Sequence, residues 1–134
     1  MIVIDASVLA NVLADDGDDG HRARCELERE AGVSSPDLVD VQTVAVLRTR
    51  WLAETITEGR FATAVADLGD LALDRYPTLP LMRRAFELRA NVTPYDAAYV
   101  ALAEGLACAL LTADARLART PRLRCAVRLL TSTT

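Results

Sequence analysis

Three aspartates stand where the chain would bring their carboxylates together. Asp5 closes the apolar run Met1-Ile2-Val3-Ile4, Asp114 comes just after Leu110-Leu111-Thr112, and Asp96 opens an alanine-rich stretch behind Thr93-Pro94-Tyr95. Any one of them has a plain explanation, because an Asp at a helix start caps free N–H groups and meets the helix dipole. Three carboxylates within several ångströms of one another are different: they raise each other's pKa unless a cation neutralises them. With no His or Cys nearby, Asp5, Asp96 and Asp114 form an all-oxygen donor set, which suits Mg²⁺ or Mn²⁺. Such an ion keeps several waters and can organise a phosphodiester for attack by an activated water.

Bringing these residues together requires a parallel α/β sheet. Met1 to Ile4 is a continuous β-branched run suited to a central strand covered on both faces. A short helix is expected over Ser7 to Ala14, then a turn-rich break at Asp15-Asp16-Gly17-Asp18-Asp19-Gly20 and a charged helix from His21 to Ala31. Val33 to Ser35 reads as a second strand, followed by a helical hairpin from Asp37 through Leu52 and from Glu58 to Leu68. Leu71 to Tyr76 reads as a third strand and Thr78 to Asn91 as a helix, since Pro80 falls in its first turn. Thr93 caps a buried helix with Pro94 at its first position, ended by Gly105. Cys108 to Thr112, Ala115 to Arg119 and Val127 to Leu130 follow as strand, short helix and strand, leaving a polar tail. The expectation is one domain over residues 1–134, a three-layer α/β/α sandwich around a mostly parallel sheet of about five strands. Right-handed crossovers then put Asp5, Asp114 and the start of the Asp96 helix at the carboxyl edge of the sheet, where such folds bind ligands.

Composition narrows the function. A chain of 134 residues, about half of them apolar, suits one globular domain. No apolar stretch nears the ~20 residues of a membrane span, and the short opening run lacks a basic flank, so a cytoplasmic protein with no membrane partner is expected. The net charge of −4 argues against broad phosphate tracking without excluding a nucleic-acid substrate. Every cationic side chain is Arg. Cys25, Cys108 and Cys125 have no metal-binding spacing and read as reduced thiols. The Asp15 to Glu26 segment approaches a calcium-loop spacing but carries Gly17 at the third ligand position, so it reads as a solvated turn. His21, the one histidine, reads as a surface residue.

Three segments resemble the PIN-domain family of metal-dependent ribonucleases, and in particular the toxins of VapBC toxin–antitoxin pairs. They are Ile2-Val3-Ile4-Asp5-Ala6-Ser7, Thr93-Pro94-Tyr95-Asp96-Ala97-Ala98-Tyr99-Val100-Ala101-Leu102-Ala103, and Leu110-Leu111-Thr112-Ala113-Asp114. The middle one, with its D-x-x-Y-x-x-L-A pattern, is the most specific, and the likeness covers almost the whole chain. The resemblance implies hydrolysis of single-stranded or looped RNA, with Asp5, Asp96 and Asp114 holding Mg²⁺ or Mn²⁺. Ser7 and Thr112 would orient the carboxylates or the water, and Arg116 would meet the RNA backbone. It also implies a homodimer and a cognate antitoxin that covers the cleft. Val46, Trp51, Leu52 and Phe61 could receive that partner, and Trp51 is the residue best suited to anchor an interface.

The chain departs from the family at its second acid, a Glu a few residues after a Pro. Here Pro36 is followed by Gln42, which has the shape of Glu and an amide oxygen to offer, but no charge and no capacity to act as a base. Gln42 is therefore expected to be a weakened ligand position in the catalytic set. Asp40, about 200° away round the helix, cannot replace it. The competing reading is a catalytically weakened PIN-fold module that binds RNA or an antitoxin without cutting. A nucleotide-binding doubly wound domain fits poorly, because Asp5-Ala6-Ser7-Val8-Leu9 lacks a glycine-rich first turn.

Overall fold

The computed structural model describes residues 1–130. Five parallel strands form one sheet in the order β3-β2-β1-β4-β5: β1 is Ile2–Ile4, β2 Val33–Pro36, β3 Asp74–Tyr76, β4 Ala109–Thr112 and β5 Val127–Leu129. The chain runs outward from β1 through β2 to β3, then crosses to the other side of β1 for β4 and β5. The direction of winding thus reverses between β1 and β4, the place where open α/β sheets form a crevice. Those two strands pair in register, Ile2 to Ala109, Val3 to Leu110 and Ile4 to Leu111. Ile2, Val3 and Ile4 are buried together, as a strand covered on both faces requires.

Among the described residues, seven α-helices surround the sheet: α1 (Ala6–Ala14), α2 (Asp18–Glu28), α3 (Val39–Leu52), α4 (Glu58–Asp70), α5 (Met82–Glu87), α6 (Pro94–Leu106) and α7 (Ala115–Ala118). α1 packs against α2, α3 and α4, while α6 lies across β1, β2 and β4 with α5 beside it. Helices thus cover both faces of the sheet, giving the three layers expected. The α6 sequence, apolar on nearly every side, is buried continuously from Ala97 to Ala103. None of the helices among the described residues is long and apolar enough to cross a membrane.

Several boundaries differ from expectation. α2 starts at Asp18, three residues before His21, because Asp15 turns the chain tightly: its Oδ1 accepts from Gly17 N–H (2.8 Å) and Gly20 N–H (3.1 Å). A Cβ on Gly20 would lie 1.8 Å from the Asp15 carbonyl oxygen, so this glycine permits the close approach. The Asp15 segment is therefore an ordered helix entry. The third strand is only Asp74–Tyr76, and the helix expected over Thr78 to Asn91 is a 3₁₀ turn (Leu79–Leu81) followed by the short α5. Gly105 lies inside α6; Ala107, at φ 53°, takes the left-handed position that ends it. The polar tail from Thr131 lies outside the described residues. Cys25, Cys108 and Cys125 are free thiols, each partly buried.

Candidate metal and phosphate site

Each aspartate is set by a local structural reason. Asp5 leaves β1 in an extended conformation and caps α1, its carboxylate accepting from Val8 N–H at 3.1 Å. Asp114 leaves β4 and caps α7, accepting from Arg116 N–H at 2.9 Å. Asp96 occupies the first turn of α6, where Thr93 Oγ1 accepts its backbone N–H at 3.3 Å and Pro94 fills the first helical position. Because α6 runs back toward the start of β4, its N-terminus lies at the sheet's carboxyl edge.

Asp5 is buried, and both of its oxygens are held. Ser7 Oγ donates to Oδ1 at 2.5 Å and Thr112 Oγ1 donates to Oδ2. Each hydroxyl accepts a backbone N–H in turn: Ala113 N–H donates to Ser7 Oγ (3.1 Å) and Asp114 N–H to Thr112 Oγ1 (3.0 Å). The turn after β1 and the turn after β4 are thus stitched together through one carboxylate. Burial pushes the Asp5 carboxyl above its ordinary range despite these bonds, all of which favour the charged form.

Asp96 is half-buried, and its carboxyl is likewise raised, first by burial and then by the negative charges of Asp5 and Asp114; Arg116 partly offsets this. The structure therefore brings the three aspartates close enough to feel one another. Asp96 and Asp114 line an open cleft of about 360 Å³, together with Thr93, Arg116, Arg119 and Pro121. Arg116 is exposed and reaches Asp114 at 3.5 Å. The segment that follows the cleft-lining Pro121 is tied to α5 and α6. Arg84, on α5, donates to both carboxylate oxygens of Glu104 on α6 (2.8 and 3.1 Å) and to the Arg122 carbonyl (3.3 Å), while Arg124 N–H donates to Glu104 (2.7 Å).

Gln42, on α3, reaches the same neighbourhood but is already engaged: Tyr99 O–H donates to its Oε1 at 2.5 Å. Asp40 faces away and binds the Arg75 guanidinium at 2.8 Å. Tyr99 is the aromatic of the D-x-x-Y-x-x-L-A segment, to which the sequence assigned no role at the site. Its spacing, three residues after Asp96, puts it on the same face of an alanine-rich helix.

Among the described residues, no three His, Cys, Asp or Glu side chains converge closely enough to enclose one ion. The donor chemistry nevertheless fits a hard divalent cation, since the acids are all-oxygen and mutually repelling. It fits an ion that keeps several waters and is touched directly by one or two carboxylates, and not a closed protein cage. A larger cleft, about 670 Å³, lies away from the acids between α1, α2 and the start of α4, where Arg50 and Arg60 face Asn11 and Asp16. Trp51, on the hairpin, is 40% exposed and packs against Phe61, while Leu52 is exposed and Val46 partly buried.

Known proteins resemble this chain along nearly its whole length. A protein-family model described as PIN domain matches residues 2–123. The protein named ribonuclease VapC9 from Mycobacterium tuberculosis is 39% identical over 127 residues, covering 95% of this chain and 96% of its own length. Ribonuclease VapC1 of the same organism is 39% identical over 128 residues, with the same shares covered. Among solved structures, VapC20 of M. tuberculosis, described as a sarcin–ricin loop cleaving toxin, superposes with a TM-score of 0.69 at 15% identity, covering 87% of this chain and 92% of its own. VapBC2 from Rickettsia felis, bound to a promoter DNA fragment, gives 0.68 at 11% identity over 98% of this chain and all of the other. At those identities the structural likeness speaks for the fold, and the sequence matches speak for the family. The chain belongs to the PIN domain family and is a member of its VapC type.

Proposed function

We propose that this protein is the toxin of a toxin–antitoxin pair, a single PIN-like domain that hydrolyses RNA phosphodiesters with a divalent cation, Mg²⁺ or Mn²⁺. The observation that carries the reading is the mutual electrostatic pressure of Asp5, Asp96 and Asp114 at the switch point of the sheet, in a chain whose relatives are named ribonucleases. Asp5, Asp96 and Asp114 would hold the cation, which would supply charge neutralisation and an activated water for attack at phosphorus.

The chain's own residues supply geometry. Ser7 and Thr112 fix the Asp5 carboxylate, so its orientation is set before anything binds. Asp96 and Asp114 present charge on the cleft, and Arg116 stands at its mouth where a strand's phosphates would pass. An antitoxin is the expected partner, with the exposed Trp51–Leu52 region as a contact surface, and the active unit is a homodimer working in the cytoplasm.

A second reading, a module that binds RNA or antitoxin with little cutting, draws on Gln42, whose amide oxygen is committed to Tyr99. Incubating the purified, antitoxin-free protein with a structured RNA pool in Mg²⁺ or Mn²⁺, beside Asp96→Ala and a chelator control, separates the two. Cutting that needs both the metal and Asp96 supports the nuclease. A folded protein that cuts no RNA with either metal refutes it and leaves the binding module, and a large gain from Gln42→Glu points the same way.

A further inference from the structure

Gln42 is half-buried at the acid edge, and the Tyr99 hydroxyl determines which end of its amide faces which way. Tyr99 is 1% exposed, so its proton must find an acceptor inside the protein. That acceptor is Gln42 Oε1, at 2.5 Å. The opposite amide orientation would set an NH₂ group against the hydroxyl and leave the buried proton without a partner. The amide oxygen is therefore turned toward Tyr99 and the NH₂ group away from it, with no protein acceptor for Nε2 among the described residues. Asp5 and Asp96 both push the Tyr99 hydroxyl toward its neutral form, which places this pair within the field of the acids. A Glu with the same hydrogen bond would show a negative oxygen where Gln42 shows two donors. The shape is kept and the polarity is inverted.

We propose that Gln42 is a hydrogen-bond donor to a phosphate oxygen of the bound RNA strand, oriented for that task by Tyr99, and is not a metal ligand. The inference rests on the RNA-cleaving reading for its substrate. The donor matches an anionic phosphodiester, whereas an NH₂ group offers a cation nothing to bind. Tyr99 is then a positioning residue acting through Gln42.

The sequence makes the test clean, because Gln42 is the only glutamine and Asn11 and Asn91 are the only asparagines. A uniformly ¹⁵N-labelled protein shows three side-chain NH₂ pairs, and the loss of one in Gln42→Glu assigns the Gln42 pair. Mg²⁺ is added first, then a single-stranded 2′-O-methyl RNA oligonucleotide. The expected result is that Mg²⁺ alone leaves the Gln42 pair in place, that the oligonucleotide moves one of its two proton signals downfield, and that folded Tyr99→Phe loses this response. A shift of both protons with Mg²⁺ alone would mark the carbonyl as a ligand and overturn the proposal. So would an oligonucleotide that moves backbone signals around Asp96 and Asp114 but not Gln42, or a Tyr99→Phe response equal to the parent's. If no signal moves at all, the RNA reading fails and the inference with it; if Gln42 responds in a protein that cuts nothing, only the nuclease reading fails.

Discussion

Thr112→Val tests the stitching of the site more directly than loss of an aspartate would. Thr112 is fully buried, and Val keeps its branched shape, so the substitution removes a hydroxyl without opening a cavity. Two bonds go with it: the one donated to the Asp5 carboxylate and the one accepted from Asp114 N–H. A hydrogen bond to a charged group contributes about 1.5–3 kcal/mol, and an orphaned N–H costs about 1 kcal/mol more. The added methyl returns roughly 0.8 kcal/mol. The net loss should be about 2–3 kcal/mol, or about 6–10 °C in Tm for a chain of this length.

The loss should also depend on pH. Burial raises the Asp5 carboxyl, so the native protein holds its proton more readily than the unfolded chain, and stability falls as pH rises from the ordinary carboxylate range through that raised value. The Thr112 bond opposes this rise, and removing it steepens the fall. Urea titrations of the metal-free protein at pH 7.5 and near pH 4 should therefore show a large deficit at the higher pH and a smaller one at the lower. Thr112→Ser, which keeps the hydroxyl, should lose only about 1 kcal/mol at both. A Thr112→Val protein as stable as the parent, or one whose deficit ignores pH, would refute the argument that this hydroxyl acts on a charged Asp5.

Asp96→Asn should stabilise the metal-free protein at neutral pH, since it removes a carboxylate whose pKa is raised by burial, Asp5 and Asp114; the gain should disappear as pH falls below the ordinary carboxylate range, read as converging urea midpoints. Thr43→Val should raise stability by about 1 kcal/mol in thermal melts, because the Thr43 hydroxyl is fully buried with no hydrogen-bond partner. Gly20→Ala should lower stability by about 2 kcal/mol or more, although Ala is the better helix former by about 1 kcal/mol, because the new Cβ meets the Asp15 backbone and not a side chain that can move.

Long-range order was legible where the residue pattern is redundant. The unbroken β-branched run of β1 marked the central strand, and Thr93-Pro94 marked the start of α6. From these the common edge of Asp5, Asp96 and Asp114 followed. Local stops were harder to read. Gly105 looked like a terminator, yet the helix continues one residue past it and Ala107 accepts the left-handed turn, because Ala107 N–H and Cys108 N–H still find carbonyls of α6. The stretch from Thr78 to Asn91 has helical spacing but tightens into a 3₁₀ turn at Pro80, which lacks an N–H. The Gln42–Tyr99 bond joins residues 57 apart in sequence and depends on how α3 and α6 meet. A pattern within one helix carries no record of that meeting.

The clasp of Arg84 on Glu104 also ties together segments that are distant in sequence. Glu104 and Asp96 ride on the same helix, so the loop carrying Arg122 and Arg124 is hinged to the body that carries a catalytic candidate. The same stretch begins at α7, a single turn capped at its start by Asp114. The chain from Asp114 to Arg124 is thus anchored at both ends, by the cap at Asp114 and by the Arg124 N–H on Glu104, so the residues between them that line the cleft share their support with Asp96 through α6.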